Sequence, residues 1–231
     1  MASHASLVPR LILAHDESLS STEVNKAFQD WPGNMQIWDR ASVIQYHTMS
    51  GVEGQSLAIF CERHIFGFKL AACLRAAASG RTLYSDADVL WFGDIFQLMS
   101  RYSDCPVYGS HEAGDSLDEP TLQLFPALIK HQILNEIRCC AGFGVFNRLP
   151  SEEVHLNQMV RQVIQFKEIG QFCEQTLFNR IVSEIGTIIH HNDVHMYAPK
   201  FPPRLHNPLK NLSTAIHYPG SAKYQFWIDL I

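Results

Sequence analysis

The feature that most constrains this chain is a short apolar segment that ends in two aspartates one residue apart. Residues 82–85 follow Gly80 and have the length and composition of a buried strand. Asp86 and Asp88 come directly after this segment, at the edge where open α/β sheets bind ligands. Two carboxylates there could hold one hard cation through oxygen. The alternative is that both are solvated turn residues, a common setting for aspartate.

Predicted strands and helices alternate along the first third of the chain. Leu11–Ala14 and residues 35–39 are predicted strands, and a serine or threonine ahead of Glu23 caps the helix between them. Residues 40–64 are predicted to form a loop with a short helix. The next helix has apolar residues at helical spacing, namely Phe66, Leu70, Cys73, Leu74 and Ala77. This order predicts an α/β fold with a mostly parallel central sheet and helices on both faces.

Later segments extend the same pattern without an internal repeat. Residues 141–147 predict a strand whose glycines admit a close approach by another backbone or a ligand, with tight strand packing as the alternative. Helices are predicted over 122–137, over 154–167 and from Glu174 onward, and residues 110–120 are predicted to be a mobile loop. We therefore expect residues 1–10 to be a disordered lead-in and residues 11–231 to form a single domain.

Composition excludes some classes of function. The net charge of −5 argues against a general binder of nucleic acid or acidic membranes, which would carry a basic excess. No apolar run approaches the roughly 18 residues that a transmembrane helix needs. The six cysteines show neither a C-x-x-C pair nor zinc spacing, so they are predicted to be reduced thiols in a cytoplasmic protein.

Four separated segments together resemble one family. They are the D-x-D segment of residues 85–91, the strand of residues 141–147, the helix start of residues 174–179, and the spacing His217-x-x-Gly220-x-x-Lys223. In this order they are similar to GT-A-fold nucleotide-diphospho-sugar glycosyltransferases, in particular glycosyltransferase family 8 and family 77. The resemblance implies a GT-A (Rossmann-like) fold. It also implies transfer of a hexose or pentose from a nucleotide-diphosphate donor, expected to be a UDP-sugar, to an unknown glycan, lipid or protein acceptor.

The resemblance also implies a metal centre. Asp86, Asp88 and His217 correspond to the family's ligands for Mn²⁺ or Mg²⁺. Such an ion is a Lewis acid for the diphosphate that leaves, and a mixed oxygen and imidazole ligand set suits Mn²⁺ somewhat better than Mg²⁺. His217 must be neutral to bind the ion. The alternative for His217 is an ordinary histidine near a turn.

Further residues acquire roles by the same resemblance. Gln175, with Glu174 before it, corresponds to the polar residue at the sugar face, where it could stabilise an oxocarbenium-like transition state. No strong nucleophile is expected there, which favours retention by front-face substitution. The nucleotide-sugar is expected to contact Lys69, Asp86, Ala87, Gly220 and Lys223. The alternatives are a solvated surface lysine for Lys69 and a carboxylate that complements the helix dipole for Glu174.

Three departures from the family pattern concern specificity and the nucleotide base. Cys140 stands where the family usually has Asn or Asp, and Glu174 stands where it usually has Asp. The family's first strand, which holds the base and ribose, is expected upstream of Met1, which would make this chain a short or fragmentary member. The rival interpretation is that Leu11–Ala14 is itself the first strand, with Asp16 near the base.

Two other classes of protein remain as alternatives. A haloacid-dehalogenase-like phosphatase also uses D-x-D, but its pair normally follows the first strand and continues to Thr, whereas Val89 follows here. A catalytically incomplete binding module with a GT-A-like fold is the stronger rival. The sequence does not identify the donor sugar, the acceptor, the linkage or the oligomeric state.

Overall fold

The computed structural model describes residues 9–15, 18–111, 139–148, 156–165, 173–197 and 206–231. The chain divides into two compact units, Met1–Ala76 and Ala77–Ile231. The predicted helix over 122–137, Asp16, and most of the predicted lead-in and of the 110–120 loop lie outside the described residues. A single domain over residues 11–231 stays a prediction.

The N-terminal unit is a strand–helix–strand motif followed by three helices. Its elements are β1 (Leu11–Ala14), α1 (Ser21–Ala27), β2 (Met35–Trp38), α2 (Arg40–Met49), α3 (Val52–Arg63) and α4 (Ile65–Ala78). β1 pairs with β2 in parallel, in a register that runs from Leu11 opposite Met35 to Ala14 opposite Trp38. The parallel arrangement predicted for these strands is confirmed. Whether a further strand precedes Leu11 stays a prediction.

α1 begins with the predicted cap. The Ser20 hydroxyl accepts a hydrogen bond from the Glu23 backbone N–H, and the Glu23 carboxylate accepts one from the Ser20 backbone N–H. This reciprocal pair satisfies two backbone donors that the first turn of a helix leaves without partners.

The loop predicted for residues 40–64 is wrong, because two helices occupy this segment. Asp39 caps α2 by accepting a hydrogen bond from the Ser42 N–H, and Gly51 turns the chain with a φ of 80° before α3. A Cβ on Gly54 would lie 1.9 Å from the His47 carbonyl oxygen, so the two helices pack backbone to backbone there. The glycines that suggested a loop are needed for the turn and for this close approach.

The C-terminal unit carries most of the sheet. Its elements are β3 (Thr82–Ser85), β4 (Val89–Trp91), α5 (Ile95–Arg101), β5 (Val107–His111), β6 (Cys139–Phe146), α6 (Leu156–Ile164), α7 (Cys173–Ile185), β7 (Gly186–Ile189), β8 (Val194–Met196), β9 (Ala215–His217) and α8 (Lys223–Leu230). Short 3₁₀ turns span Pro208–Asn211 and Gly220–Ala222.

Strand pairing in the described residues is mixed. One sheet has the order β3-β6-β5-β7 and another the order β4-β9-β8. β6 is antiparallel to both of its neighbours and β4 is antiparallel to β9, whereas the β5–β7 and β8–β9 pairs are parallel. The α/β class is confirmed, and the antiparallel direction of β6 and β9 is the difference from the parallel order expected.

β6 is the central strand of the unit, and each of its eight residues is buried. α7 packs on it, with the Phe146 and Phe178 rings 5.8 Å apart. The Asn179 amide also accepts a hydrogen bond from the Cys139 N–H and donates one to the Cys139 carbonyl. β6 and α7 are therefore joined by both apolar packing and a side-chain amide.

α8 was not anticipated from the sequence, because its inward face is polar. Gln225 and Asp229 are its buried residues, and the Asp229 carboxylate accepts hydrogen bonds from Asn207, Tyr218 and Gln225. Burial, and then the contact with Asp229, raises the pKa of Tyr218 above its usual range, so the phenol stays protonated and donates to the carboxylate.

The expectations about cysteines and about membrane-spanning helices can be compared with the described residues. All six cysteines are free thiols. In the part of the chain that the structure describes, no helix combines the length and the apolar character that crossing a bilayer requires. The cytoplasmic location stays a prediction.

Candidate metal centre

Three potential ligand residues meet in the C-terminal unit. Asp86 and Asp88 lie in the tight turn between β3 and β4, and His217 is the last residue of β9. One ligand atom from each residue lies within 4.8 Å of the other two. The structure thus brings together the three residues that the sequence predicted as metal ligands.

The turn that carries the aspartates is held by backbone hydrogen bonds. The Asp86 N–H donates to the Gly142 carbonyl on β6 at 2.8 Å, and the Val89 N–H donates to the Asp86 carbonyl at 3.3 Å. The Tyr84 hydroxyl donates to the Asp86 carboxylate. One oxygen of Asp86 is therefore oriented by a neighbouring residue of the strand that leads into the turn.

His217 reaches the aspartates because β9 pairs with β4. The antiparallel register places His217 opposite Val89, and the Tyr218 N–H donates to the Asp88 carbonyl at 2.9 Å. This pairing brings His217 Nε2 to 3.2 Å from Asp88 Oδ1. The pairing of β4 with β9 therefore brings His217 close to Asp86 and Asp88, although they are far apart in sequence.

The imidazole of His217 lies against the backbone of Gly142. A Cβ on Gly142 would lie 2.2 Å from His217 Cε1, a distance that real Cβ contacts do not show. Only glycine therefore permits this ring position. The close approach that the sequence predicted for the β6 glycines is made at this position by a side chain of the protein itself.

Asp88 is ionised more readily than an ordinary aspartate. Burial by itself would raise its pKa, but the contact with His217 and then the charge of Lys223 outweigh burial, and the pKa is lowered. Lys223 Nζ lies 3.3 Å from Asp88 Oδ2, and the lysine side chain is 60% exposed. The carboxylate therefore stays charged at neutral pH, as a cation ligand must.

The geometry fits a divalent cation. Asp88 Oδ1 is buried and makes no hydrogen bond with any described residue, although it lies 3.2 Å from His217 Nε2. The ring N–H is thus not aimed at this oxygen. Two carboxylates and one imidazole form a donor set suited to a metal of the Mn²⁺ type.

The predicted catalytic pair lies at the start of α7. Glu174 and Gln175 are both buried, and Gln175 Oε1 accepts a hydrogen bond of 3.5 Å from the Ala141 N–H on β6. Ala141 is next to Gly142, which contacts His217. β6 therefore links the α7 start to the candidate centre, and the catalytic roles of the pair stay predictions.

The residues expected to bind the nucleotide-sugar lie in three places. Ala87 is exposed between the two aspartates, and Gly220 is exposed with a φ of 53°. Lys223 follows at the start of α8 and contacts Asp88. Lys69 lies on α4 of the N-terminal unit, with its ammonium 6.0 Å from the Phe66 ring centre. Their roles in donor binding stay predictions.

Two contributors to the site were not found by sequence reasoning. Tyr84 orients Asp86, and the Cys140 thiol lies beside His217. Cys140 was noted only as a departure from a family pattern. A signal for Tyr84 exists in its position, because residues two apart on a strand point to the same face.

Comparison with known proteins identifies the fold. No family model matches the chain, and no curated protein matches its sequence. Mouse xyloside xylosyltransferase 1 is similar in structure, with a TM-score of 0.55 at 14% identity over 93% of this chain and 84% of that one. The chain has a GT-A glycosyltransferase fold.

Two further GT-A neighbours agree. The galactosyltransferase LgtC, solved with donor and acceptor sugar analogs, matches with a TM-score of 0.50 at 16% identity over 95% of both chains. The bifunctional glycosyltransferase WbbM gives 0.54 at 13% identity over 93% of this chain and 46% of its own. At these identities the likeness establishes the GT-A fold, and an activity has to be argued from the site.

Proposed function

We propose that this chain is a metal-dependent glycosyltransferase that moves a sugar from a nucleotide-diphosphate donor, a UDP-sugar, to an acceptor. The observation that carries the proposal is the convergence of Asp86, Asp88 and His217 on a GT-A fold. Hard oxygen ligands and one neutral imidazole are suited to a cation that neutralises a leaving diphosphate.

The chain's own groups would divide the work around such a cation. Asp86, Asp88 and His217 would hold it, and Mn²⁺ or Mg²⁺ would supply Lewis-acid stabilisation of the diphosphate oxygens. Lys223 is well placed to exchange its contact with Asp88 for a phosphate oxygen, because its side chain is largely exposed. Gly220, which has no side chain and a φ of 53°, would let the same group approach its backbone N–H closely.

The sugar side of the reaction is assigned to the start of α7. Gln175 is buried against β6 and would stabilise positive charge that develops on the sugar ring, and Glu174 would fix its position. An amide is a poor nucleophile, which favours retention by front-face substitution over a covalent intermediate. Lys69 would contact the diphosphate, and Ala87 would leave room for the donor between the aspartates.

The test is metal-dependent hydrolysis of the donor. We expect slow release of UDP from a UDP-sugar with Mn²⁺, no release after removal of the metal, and loss of at least about 100-fold in rate in Asp88→Asn, because a Lewis acid contributes several kcal/mol. Asp104→Asn, at an exposed aspartate that contacts Ser103, is the matched control and should retain full activity. The donors should include galactosyl and xylosyl nucleotides, since those sugars appear in the names of similar structures.

Two outcomes would replace this proposal. Tight binding of UDP with Mn²⁺ but no hydrolysis or transfer of any donor would favour the catalytically incomplete binding module. Unchanged metal and nucleotide binding in Asp88→Asn would contradict the site itself. With an active donor in hand, NMR of the product's anomeric centre distinguishes retention from inversion.

A further inference from the structure

The two ring nitrogens of His217 have different neighbours. Nε2 faces Asp88 Oδ1 at 3.2 Å, whereas Nδ1 lies 3.5 Å from Cys140 Sγ. The same sulfur accepts a hydrogen bond from the Gly142 N–H at 3.3 Å. Cys140 is buried, so this sulfur contacts the ring without competition from bulk water.

The chemistry of a histidine ligand decides which nitrogen should carry the proton. A neutral imidazole has one N–H, and the nitrogen that binds a metal must be the other one. At His217 the nitrogen that faces the carboxylates is Nε2, so the proton belongs on Nδ1. The acceptor within reach of that proton is Cys140 Sγ. Metal-bound histidines generally donate their second N–H in this way, usually to oxygen.

We propose that Cys140 is the positioning residue of the candidate metal centre: its sulfur accepts the Nδ1–H of His217 and so presents Nε2 to the cation. This inference rests on the proposed function only for the presence of the metal. Asp88 Oδ1 agrees with it, because this buried oxygen lies 3.2 Å from Nε2 and yet accepts no hydrogen bond from it.

The neighbouring cysteine offers a matched control. Cys139 is also buried on β6, but its side chain packs against Gly109, where an added Cβ would lie 2.7 Å from Cys139 Cβ. Successive residues of a strand point to opposite faces, so Cys139 turns away from His217. Cys140→Ala and Cys139→Ala each leave a cavity of similar size beside the same strand. Only Cys140→Ala removes the acceptor of the His217 Nδ1–H.

The test has two readouts that need no sugar donor. The first is the affinity for Mn²⁺ alone, measured by calorimetry or by EPR of the free ion. We expect Cys140→Ala to bind about 10-fold more weakly, the lower end for loss of a histidine's outer partner. Cys140→Ser keeps an acceptor and should stay within about 3-fold of wild type, given that hydroxyls accept hydrogen bonds well. Cys139→Ala should be unchanged.

The second readout is the tautomer of neutral His217 in the metal-free protein, assigned from ¹⁵N–¹H correlations of the ring. We expect the proton on Nδ1 in the wild type, Cys140→Ser and Cys139→Ala, and a shift toward Nε2 in Cys140→Ala. A wild-type proton on Nε2, or a Cys140→Ala protein with wild-type Mn²⁺ affinity, would overturn the proposal.

The outcomes separate this inference from the proposed function. If no donor is hydrolysed but Cys140→Ala weakens Mn²⁺ binding and shifts the tautomer, the glycosyltransferase proposal fails and the role of Cys140 stands. If hydrolysis occurs and Cys140→Ala matches the wild type in both readouts, the role of Cys140 alone fails. If the wild type binds no Mn²⁺, both fail.

Discussion

At Gly142 the lack of a side chain is a requirement of the site, because the His217 ring occupies the volume that a Cβ would fill. We expect Gly142→Ala to displace the ring and to weaken Mn²⁺ binding by about 10-fold or more, as for loss of a histidine's orientation. Calorimetric titration with Mn²⁺ measures the effect. Gly144→Ala is the control, because its Cβ would meet Phe178 at 2.7 Å and disturb the core instead of the ligand. Equal affinities in the two variants would contradict this account.

His47 links the stability of the N-terminal unit to pH. It is buried, and its Nε2 lies 2.8 Å from the Ala71 carbonyl, so this nitrogen carries the proton and donates. Burial lowers the pKa of His47; the bond to Ala71 opposes this shift, and the charge of Arg75 adds to it. Well above pH 6.5, the ordinary pKa of histidine, the ring is neutral in both the folded and the unfolded state, and its protonation contributes nothing to stability. As the pH falls below that value, the unfolded chain binds the proton first, and the free energy of unfolding decreases.

The corresponding prediction concerns His47→Gln. Glutamine keeps a donor for the Ala71 carbonyl but does not titrate, so the loss of stability on acidification below about pH 6.5 should be smaller than in the wild type. Urea unfolding across this pH range, followed by a probe in the N-terminal unit, measures the difference. The exposed His206 supplies the control variant His206→Gln, which should follow the wild-type curve. Parallel curves for wild type and His47→Gln would refute the role of His47.

The individual residues differ in how far the sequence could predict them. Asp86, Asp88 and His217 were predictable because their spacing matches a known pattern, and the structure places them together. Tyr84 had a signal in its spacing of two residues from Asp86. The contact of Cys140 had none, because it depends on which face of β6 meets a strand distant in sequence. Register of this kind is set by tertiary packing and leaves no local signature.

At the scale of elements, the junction of β6 and α7 depends on the amide of Asn179. Two of its three hydrogen bonds are to the N–H and the carbonyl of Cys139, which is buried, and the third is to the Gln175 carbonyl on the same helix. Asn179→Ala should lower the free energy of unfolding by about 2–3 kcal/mol, since each hydrogen bond that it removes contributes about 0.5–1.5 kcal/mol. Denaturant unfolding measures this loss of stability.

Ser183 on the same helix supplies the control. Its hydroxyl donates to the Asn179 carbonyl, and Ser183→Ala should lower the free energy of unfolding by under about 1 kcal/mol. Similar losses in both variants would show that the amide has no special role.

Whole elements were predicted from sequence where short apolar segments or a helical spacing of apolar residues marked them. β1, β2, β3 and β9 were recognisable as short apolar segments, and α4 from its apolar spacing. Prediction failed for α2 and α3 because the glycines there indicated a loop. Gly51 turns the chain between the two helices, and Gly54 allows their close contact. It also failed for α8, whose buried face is a hydrogen-bonded carboxylate network and not an apolar stripe. A hydrophobic period cannot reveal a helix that packs through polar groups.

For the whole molecule, metal binding should stabilise the C-terminal unit selectively. All three candidate ligands belong to the unit Ala77–Ile231. When the Mn²⁺ concentration is 100 times the dissociation constant, binding should add about 2.7 kcal/mol to the free energy of unfolding of the elements that carry the site. Hydrogen exchange should therefore slow in β3, β4, β6 and β9 on addition of Mn²⁺. In Asp88→Asn the slowing should vanish. Equal slowing of exchange in β1 and β2 would contradict selectivity.

The sequence could predict the general architecture but not its division. Alternation of strands and helices predicts an α/β fold, and the likeness to GT-A structures confirms it. The two compact units were not visible, because no change of composition marks Ala76. The direction of β6 and β9 could not be predicted either, since it depends on which strands they join.

The pairing of β9 with β4 has a consequence for the order of folding. Asp86 and His217 are separated by more than half the chain, so the three ligands meet only after a long loop has closed. Contacts of such high sequence separation form slowly, because the entropy of the intervening chain is lost before they stabilise anything. A cation can therefore bind tightly only to a chain whose last strand is already in register. If the proposed centre binds Mn²⁺, that binding would report when β9 has paired with β4.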